Sequence, residues 1–307
     1  MANIDLVGLS NALTDITIHV SDSELRRIGI RKGSYHPLRE INPEIFSEVL
    51  EQKEIKYCVA GSPANVILNA SKLGLRTALF ATIGVDNYGL NYLRTLNENK
   101  IIPFVYTKEG ESGICYIMIS PDGERTNTAS LGVSSNFDFD FEKLKDCMFL
   151  HTSGYELATN PSKVMQAIEY AKKYNVKLSF DLADKTMVKR QRACIEDLLR
   201  DIDILFATEE EARELTGEAQ FKSLELLSEI CPVVALKRGR KGSVVKSGNE
   251  KYKIGCFPVN VKSTCGAGDA YASGFLFAHI RGFCVEECGY MGSYIASRVC
   301  GSDEPHL

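Results

Sequence analysis

Ser263-Thr264-Cys265-Gly266-Ala267-Gly268-Asp269 is the stretch that decides how this 307-residue chain folds and acts. It follows a β-like run over residues 253–261 and precedes a helix-like run over residues 270–280. Two glycines around an alanine allow a tight turn and leave backbone N–H groups uncovered. At a helix start such groups share the positive end of the helix dipole. The pattern therefore predicts an anion-binding hole formed by Gly266, Ala267 and Gly268.

Asp269 follows this turn directly, although a carboxylate repels phosphate. The placement makes chemical sense if Asp269 takes a proton from a hydroxyl group that then attacks the phosphate. The alternative is a glycine-rich turn in which Asp269 is only the N-cap of the helix, a position that Asp favours.

Composition places the chain among ordinary globular proteins. It is 44% hydrophobic and 25% charged, with a formal net charge of −4. This balance gives no electrostatic reason to expect a nucleic acid or an anionic membrane as a partner. The first residues show neither a basic region nor a long apolar one, so we expect no signal peptide, no membrane span and a cytoplasmic location.

The ten cysteines are scattered and include no CxxC pair. Cys284 and Cys288 share a helical face, but no further ligands lie near them in the sequence, whereas zinc needs three or four. We therefore expect reduced cysteines that pack as small apolar residues.

Short apolar runs alternate with amphipathic segments along the chain. The expected strands and helices are listed by residue number: strands at 4–8, 77–83, 148–152, 176–181, 202–207 and 233–236, and helices at 62–73, 161–174, 189–200, 209–215 and 224–230. This alternation predicts an α/β fold with a mostly parallel central sheet and helices on both faces. Ligands of such sheets bind at the carboxyl ends of the strands.

Residues 16–39 and 101–131 interrupt this rhythm and look rich in β-structure with little helix. Residues 112–120 and 124–128 flank Asp122-Gly123 and predict a hairpin. We expect one domain over residues 1–307 with a small β-sheet lid built from about residues 16–39, 54–61 and 101–131. A lid that excludes water would suit a phosphoryl-transfer enzyme.

Four further clusters carry polar side chains at the ends of apolar runs. Asn11 and Asp15 follow the first strand, where Asp15 at a strand exit could grip a diol or simply form a turn. Residues 60–65 open a helix, with Ser62 as expected N-cap and Pro63 at the first helical position. Residues 83–89 read as a turn into a helix. Residues 237–243 are basic and glycine-rich, typical of a polyphosphate loop or of a solvated turn.

In this order the clusters resemble the ribokinase/PfkB family of carbohydrate and nucleoside kinases, over essentially the whole chain. Residues 83–89 match the N-terminal signature of the family, and residues 265–274 match the more specific C-terminal signature. Within the family the chain resembles the adenosine-kinase-like branch through residues 11–15, 25–33, 60–65, 112–115 and 121–126. The Pro-x-x-Gly-Glu-Thr motif of many sugar kinases is missing, which favours a nucleoside.

The resemblance implies a role for each matching position. Asp269 would be the catalytic base, and Gly266, Ala267 and Gly268 the anion hole. Arg125 would be a lid arginine near the transferred phosphate. The implied substrate-binding positions are Asn11, Asp15, Gly61, Ser62 and Asn65. The implied ATP-binding positions are Thr208, Glu211, Lys237, Gly239, Gly242, Thr264 and Cys265, with Glu211 also holding Mg²⁺ through water.

The chain departs from the family pattern in three motifs. Ser263 replaces the Asp that opens the C-terminal signature, and Cys265 replaces its second Thr. Thr208 replaces the Asn of the Asn-x-x-Glu motif, and Ala60 replaces the first Gly of Gly-Gly-Ser. These positions bear on monovalent-cation use, Mg²⁺ affinity and pocket shape, and they leave the expected base and anion hole intact.

The sequence therefore predicts an ATP- and Mg²⁺-dependent kinase, monomeric or homodimeric, with a monovalent cation as a possible further cofactor. The expected acceptor is the primary hydroxyl of a ribose-like group, first of all adenosine. The alternatives are a sugar kinase of the ribose or fructose type, and a catalytically weak nucleotide-binding regulator suggested by Ser263 and Thr208.

Overall fold

The structure, a computed structural model, describes residues 3–51, 53–219, 221–302 and 305–307. The strands are β1 (Ile4–Leu9), β2 (Leu13–His19), β3 (Tyr35–Pro37), β4 (Lys56–Ala60), β5 (Thr77–Gly84), β6 (Ile102–Lys108), β7 (Gly113–Ile119), β8 (Arg125–Ser130), β9 (Cys147–Ser153), β10 (Lys177–Asp181), β11 (Ile204–Thr208), β12 (Val233–Lys237), β13 (Ser243–Ser247) and β14 (Glu250–Ile254).

The α-helices are α1 (Asp22–Ile28), α2 (Pro43–Leu50), α3 (Ser62–Lys72), α4 (Asn87–Glu98), α5 (Gly154–Thr159), α6 (Pro161–Lys173), α7 (Lys185–Arg190), α8 (Arg192–Leu198), α9 (Glu209–Thr216), α10 (Phe221–Ser228), α11 (Ala267–Ile280) and α12 (Val285–Cys300). None of the helices described in these ranges is long and apolar enough to cross a membrane.

A large, mostly parallel sheet forms the centre of the molecule. In the described part of the chain its strand order is β14-β13-β12-β11-β10-β9-β1-β5-β6. Pairing is parallel from β6 to β12, and β13 and β14 add antiparallel strands at one edge. Its strands are almost continuously apolar because helices cover both faces, and one buried apolar cluster lies on each face. The expected fold class is confirmed.

A second, smaller sheet has the order β3-β8-β7-β2-β4 in the described residues. It is joined directly to the large sheet, because only residues 10–12 separate the end of β1 from the start of β2. Helices α1 and α2 cover one face with Leu25 and Phe46, which pack against Ile16, Ile18 and Met118 of the sheet. The expected hairpin is confirmed as the antiparallel pair β7–β8.

Two of the segments expected in the small sheet differ from the prediction. Within residues 16–39 lies helix α1, which Ser21 and Glu24 begin with a capping box and Gly29 ends at φ 85°. Within residues 101–131 the strand β6 pairs in parallel with β5 at the edge of the large sheet. Residues 102–105 of this apolar run therefore belong to the edge of the large sheet and not to the smaller sheet.

Some expected boundaries are also corrected. Gly61 and not Ser62 is the N-cap of α3, so Ser62 lies within the first turn of the helix. Residues 189–200 contain the end of α7 and a separate helix, α8, because the chain turns at Gln191. The β-like run of residues 253–261 is strand only as far as Ile254.

Candidate active site

The glycine turn forms the start of α11, where Gly266 is the N-cap in the left-handed conformation at φ 70°. A side chain at Gly266 would also meet the carbonyl oxygen of Pro305 at 2.3 Å, so glycine is required there. Gly268 and Asp269 are the second and third residues of the helix, where backbone N–H groups have no intrahelical acceptor. The N–H groups of Gly268 and Asp269 therefore lie at the positive end of the helix dipole, where anions bind.

The structure clarifies three details of this turn. Gly268 has an ordinary φ, and a Cβ there would meet only Lys237 Nζ, at 3.3 Å. Open space, and not a glycine-only conformation, distinguishes this position. The N–H of Ala267 donates to the carbonyl of Thr264 at 3.3 Å, so it closes the turn instead of facing an anion. The alternative interpretation, in which Asp269 is only the N-cap of the helix, is wrong, because Gly266 holds that position.

Asp269 is held by two side chains from the first turn of α3. Ser62 Oγ donates to its Oδ1 at 2.7 Å, and Asn65 Nδ2 donates to its Oδ2 at 2.9 Å. Burial raises the pKa of Asp269 to about 6, against the lowering effect of these two hydrogen bonds. A carboxylate of this kind is ionised at neutral pH and is a stronger base than an exposed one.

Gly61 brings α3 against the end of β1. Its φ is +118°, and a Cβ there would lie 2.3 Å from the backbone oxygen of Asn11. The close approach is reinforced by the N–H of Ala64, which donates to Ser10 Oγ at 3.3 Å. Only glycine permits this contact, which places Asn11 beside the helix that carries Asn65.

Asp15 lies in the middle of β2, opposite Cys58 of β4 and Cys115 of β7. It is therefore a strand residue and not a strand-exit residue as expected. Burial and the charge of Asp269 raise the pKa of Asp15 to about 7, while Arg125 acts to lower it. The two carboxylates are thus close enough for the charge of Asp269 to affect Asp15.

Arg125 connects the small sheet to the glycine turn. It lies at the start of β8, and its Nη2 donates to Ser263 Oγ at 2.6 Å. The same hydroxyl oxygen accepts the N–H of Cys265 at 3.1 Å. Cys265 is half-buried, and burial and the charge of Asp15 raise the pKa of its thiol to about 11, whereas Thr264 is exposed. Ser263, one of the departures from the family pattern, thus serves as an acceptor for Arg125.

Glu156 is a site residue that the sequence analysis missed. It lies on α5 and is 1% exposed, and its Oε1 accepts both the N–H and the Nδ2 of Asn11 at 3.1 Å. Its Oε2 accepts the hydroxyl of Ser153 at 2.5 Å, and burial raises its pKa to about 7. Since Asn11 Nδ2 is engaged, its Oδ1 faces away from Glu156. A glutamate 145 residues from its partner leaves no local signal in a sequence.

A polar cleft of about 440 Å³ lies at the carboxyl ends of β11 and β12. Its lining includes four of the expected nucleotide-binding residues: Thr208, Glu211, Lys237 and Gly239. Thr208 and Glu211 form a capping box at the start of α9, with Thr208 N donating to Glu211 Oε2 at 2.7 Å. Thr208 therefore caps the helix without the Asn of the family motif.

Asp181, at the end of β10, is a second residue that the sequence analysis did not single out. It accepts a hydrogen bond from Lys237 Nζ at 2.5 Å, and both side chains are largely buried. Burial acts to lower the pKa of Lys237, but the charges of Asp181 and Glu211 raise it above its usual value. Burial raises the pKa of Glu211 against the opposing effect of Lys237. Lys237 is thus a fully charged cation beside Gly268.

Gly239 and Gly242 have different parts in the loop after β12. Gly242 has φ +77°, and a Cβ there would lie 1.9 Å from the carbonyl oxygen of Ile254, so it is required by packing. Gly239 has φ +55° and faces open space. Cys256 Sγ contacts the Gly239 carbonyl at 3.2 Å, which joins this loop to the one after β14.

A second groove, of about 740 Å³, begins beside that contact. Phe257 and Tyr294 line it with rings whose centroids lie 5.4 Å apart. Lys262 and Arg298 add positive charge to its lining. Neither aromatic residue was singled out from the sequence, because both are ordinary in a helix or loop until the fold brings them together.

In the described ranges no three His, Cys, Asp or Glu side chains form a cluster that could hold a metal ion by themselves. Glu211 nevertheless lines the polar cleft, and Asp181 pairs with Lys237 of the same lining. They offer the oxygen ligands that Mg²⁺ prefers.

Residues 36–305 match the model of the pfkB family of carbohydrate kinases. The chain belongs to this family. It is a kinase of the PfkB type, with ATP as the phosphate donor that the family implies. The resemblance recognised from the two signatures is confirmed.

Curated relatives are kinases with sugar-type names. The chain is 27% identical over 281 residues to a 5-dehydro-2-deoxygluconokinase of Geobacillus thermodenitrificans, covering 84% of this chain and 83% of that protein. It is 24% identical over 267 residues to an ATP-dependent 6-phosphofructokinase of Thermoanaerobacterium thermosaccharolyticum, with 82% of each chain covered.

The similar solved structures include an adenosine kinase as well as a probable sugar kinase. An adenosine kinase from Sinorhizobium meliloti superposes with a TM-score of 0.90 and 27% identity, covering 100% of this chain and 96% of that one. A probable sugar kinase from Rhizobium etli also has a TM-score of 0.90, at 24% identity. The likeness to the second shows the shared fold alone. The kinase is therefore of the sugar or nucleoside type.

Proposed function

We propose that this kinase transfers the γ-phosphoryl group of ATP to the primary hydroxyl of a ribose-like group, with adenosine as the first candidate acceptor. The adenosine kinase of Sinorhizobium meliloti, which is 27% identical across the whole chain, supports the nucleoside. The observation that carries the proposal is a set of hydrogen-bond acceptors beside Asp269.

Those acceptors are the side-chain oxygens of Asn11, Asn65 and Asp15. The Oδ1 atoms of Asn11 and Asn65 are buried and have no hydrogen-bond partner among the described residues. In both cases the amide nitrogen is already engaged, with Glu156 and with Asp269 respectively. A buried acceptor without a partner costs about 1–3 kcal/mol. A substrate with several hydroxyl donors, such as ribose, would satisfy these oxygens.

Asp269 is proposed as the general base. Its carboxylate takes the proton from the primary hydroxyl while the hydroxyl oxygen forms a bond to the γ-phosphorus, and the bond from phosphorus to the bridging oxygen breaks to release ADP. N–H groups at the start of α11, with Lys237 and Arg125, would meet the charge of the moving phosphoryl group. The closeness of Lys237 Nζ to Gly268 supports this arrangement.

Mg²⁺ is proposed as the metal cofactor. Glu211, through water, and the neighbouring Asp181 would hold it together with the ATP phosphates, since Mg²⁺ binds through few protein carboxylates. When bound, the metal ion would offset negative charge on the phosphates. A monovalent cation stays a prediction of the family resemblance.

The groove between Phe257 and Tyr294 is proposed to take the base of ATP. The Cys256–Gly239 contact joins it to the polar cleft, so phosphates at Lys237 and a base at the groove would lie along one path. Exposed aromatic rings provide a stacking surface for a purine.

The small sheet is proposed to act as a lid within a single kinase domain. It carries Asp15 and Arg125, and Arg125 already reaches Ser263 of the glycine turn. Closing this sheet over the acceptor would exclude water from the reacting phosphate.

A sugar kinase is the second candidate, because the curated relatives have sugar-type names. The same acceptor oxygens would suit any polyol. An acceptor that already carries a phosphate fits less well, because Asp15 and Asp269 would face a second anion. The expected acceptor is therefore unphosphorylated in either case.

An ADP-release assay with adenosine, other nucleosides, ribose, fructose and fructose 6-phosphate tests the proposal. We expect adenosine to give the highest kcat/KM of these acceptors. Asp15→Ala should weaken the binding of adenosine roughly tenfold or more per lost hydrogen bond, since bonds to charged groups contribute about 1.5–3 kcal/mol. The KM for ATP should be unchanged, and Asp138→Ala, at an exposed carboxylate, serves as the control.

2′,3′-Dideoxyadenosine completes the comparison. It should be a poor acceptor for the wild-type enzyme, and Asp15→Ala should add little further loss. If ribose or fructose is phosphorylated and adenosine is not, the acceptor is a sugar and the nucleoside proposal is wrong. A raised KM for ATP in Asp15→Ala would contradict the assignment of the acceptor pocket.

A further inference from the structure

Residues 305–307, here named the clasp segment, contact three separate parts of the chain that carry candidate site residues. Pro305 and His306 are buried. None of the three residues contributes a side chain to the pocket described above. Their contacts lead instead to the glycine turn, to α3 and to the small sheet.

The first contact supports the glycine turn. A Cβ at Gly266 would lie only 2.3 Å from the carbonyl oxygen of Pro305. The backbone of the clasp segment therefore packs directly against the N-cap of α11. Since the oxygen of Gly266 accepts the N–H of Ala270 at 2.8 Å, this residue sets the direction in which the helix begins.

The second contact holds α3. The N–H of Leu307 donates to Oδ1 of the fully buried Asn69 at 2.8 Å, and Lys72 Nζ donates to the carbonyl oxygen of Leu307. Asn69 lies one helical turn beyond Asn65, whose amide holds Asp269. The clasp segment thus binds the same helix that orients the candidate base.

The third contact reaches the small sheet. His306 Nε2 lies 3.2 Å from Sγ of Cys58. Cys58 is in β4, directly opposite Asp15 of β2 in the antiparallel pairing. Displacement of β4 would therefore move the carboxylate expected to bind the acceptor.

We propose that residues 305–307 are positioning residues for phosphoryl transfer. They hold the glycine turn, α3 and the β4–β2 pair in fixed positions relative to one another. The anion hole, Asp269 and Asp15 therefore keep fixed relative positions. The proposal rests on the roles given above to Asp269 and Asp15. Phosphoryl transfer depends on alignment, and a displacement of about 1 Å can lower the rate about a hundredfold.

Two variants break the clasp at different contacts. His306→Ala removes the link to Cys58, and Asn69→Leu removes the acceptor for Leu307. His19→Ala is the matched control, because His19 is an exposed histidine at the end of β2. His306→Gln keeps a polar group near Cys58 and should restore most of the lost turnover.

We expect both clasp variants to lower kcat about tenfold to a hundredfold and to leave the KM for ATP within about twofold. Hydrogen–deuterium exchange should be faster at residues 264–270 and 56–61 in both variants but not in His19→Ala. If kcat and exchange at these residues match the control while the melting temperature falls, the segment only stabilises the fold. The proposal that it positions the site is then wrong.

The exchange measurement needs no substrate, so it separates this proposal from the proposed function. If adenosine is not phosphorylated, kcat is measured with the sugar that is. If Asn69→Leu does not fold, the exchange and turnover of His306→Ala against His19→Ala decide. Full turnover in Asp269→Asn would overturn the base assignment, while unchanged exchange in His306→Ala would overturn the clasp.

Discussion

Asp269 shows how one side chain acquires a function from its neighbours. Alone, an aspartate in the first turn of a helix is an ordinary helix-start residue. Here burial raises its pKa to about 6, and Ser62 and Asn65 fix both carboxylate oxygens. Burial of Asp15, together with the charge of Asp269, likewise raises the pKa of Asp15. Two carboxylates with raised pKa values in one pocket are typical of acid–base chemistry.

Asp269→Asn is expected to lower kcat by about 10²–10⁴, because the amide cannot accept the hydroxyl proton. ATP binding should be kept, since the anion hole and Lys237 are untouched. Steady-state kinetics and ATP titration measure the two effects, with Asp138→Asn as the exposed control. Turnover within threefold of wild type would exclude Asp269 as the base.

Ser62→Ala is expected to move the acidic limb of the pH–rate profile to higher pH. The hydrogen bond from Ser62 lowers the pKa of Asp269, so its removal raises that pKa above about 6. Because the base acts only when deprotonated, activity is then lost at a higher pH as the pH falls. Ser71→Ala is the control, since Ser71 lies on the same helix and donates to Asn99. Superimposable profiles for the three proteins would contradict the role of Ser62.

The sequence predicted those site residues that local motifs mark. Asp269 follows the glycine turn and Asn65 follows Gly61 and Pro63, whereas Lys237 ends an apolar strand just before the glycines of its loop. The structure brings all three to one edge of the sheet. Glu156 and Asp181 were missed, because each acts through a partner more than fifty positions away. No pattern within a few residues encodes such a contact.

At the scale of elements, the alternation of strands and helices predicted the large sheet, because each buried parallel strand is a continuous apolar run. The small sheet was harder to predict. Its strands are half-exposed, and α1 interrupts them. The Ser21–Glu24 capping box was a local signal for α1 that the prediction did not use. The placement of β6 in the large sheet depends on pairing with β5, which local sequence does not specify.

The two glycines of the turn are expected to respond differently to alanine. Gly266→Ala forces a side chain into a left-handed residue and against Pro305, so the melting temperature and kcat should both fall. Gly268→Ala adds a methyl group that meets only Lys237 Nζ in a residue with ordinary φ. Its melting temperature should be unchanged while the KM for ATP rises. Thermal melts and ATP kinetics separate the two, and equal loss of stability in both variants would contradict this distinction.

At the scale of the whole molecule, the buried carboxyl groups of the candidate site lower the stability of the folded state at neutral pH. Burial raises the pKa of Asp15 and Glu156 to about 7 and that of Asp269 to about 6. The folded state then binds more protons than the unfolded state between about pH 4 and 7, so stability falls as the pH rises through this window. His151 opposes the trend, because burial lowers its pKa to about 4 and stability from this group rises with pH. Burial also raises the pKa of Glu211 and lowers that of His279, so four carboxyl groups act against two histidines. We therefore expect a net loss of stability from pH 5.5 to 8.

Glu156→Gln tests this linkage at a buried carboxyl group outside the glycine turn. The glutamine keeps an oxygen for Asn11 but carries no charge, so it avoids the cost of ionising a buried acid at pH 8. At pH 5.5 the folded glutamate is largely protonated and that cost is smaller. We therefore expect the melting temperature of the variant, relative to wild type, to be higher at pH 8 than at pH 5.5. Glu142→Gln is the control, because a hydrogen bond from Tyr174 lowers the pKa of that exposed residue and its difference should stay flat over this range. A flat difference for Glu156→Gln as well would mean that Glu156 ionises normally, and the orientation of Asn11 would then need another cause.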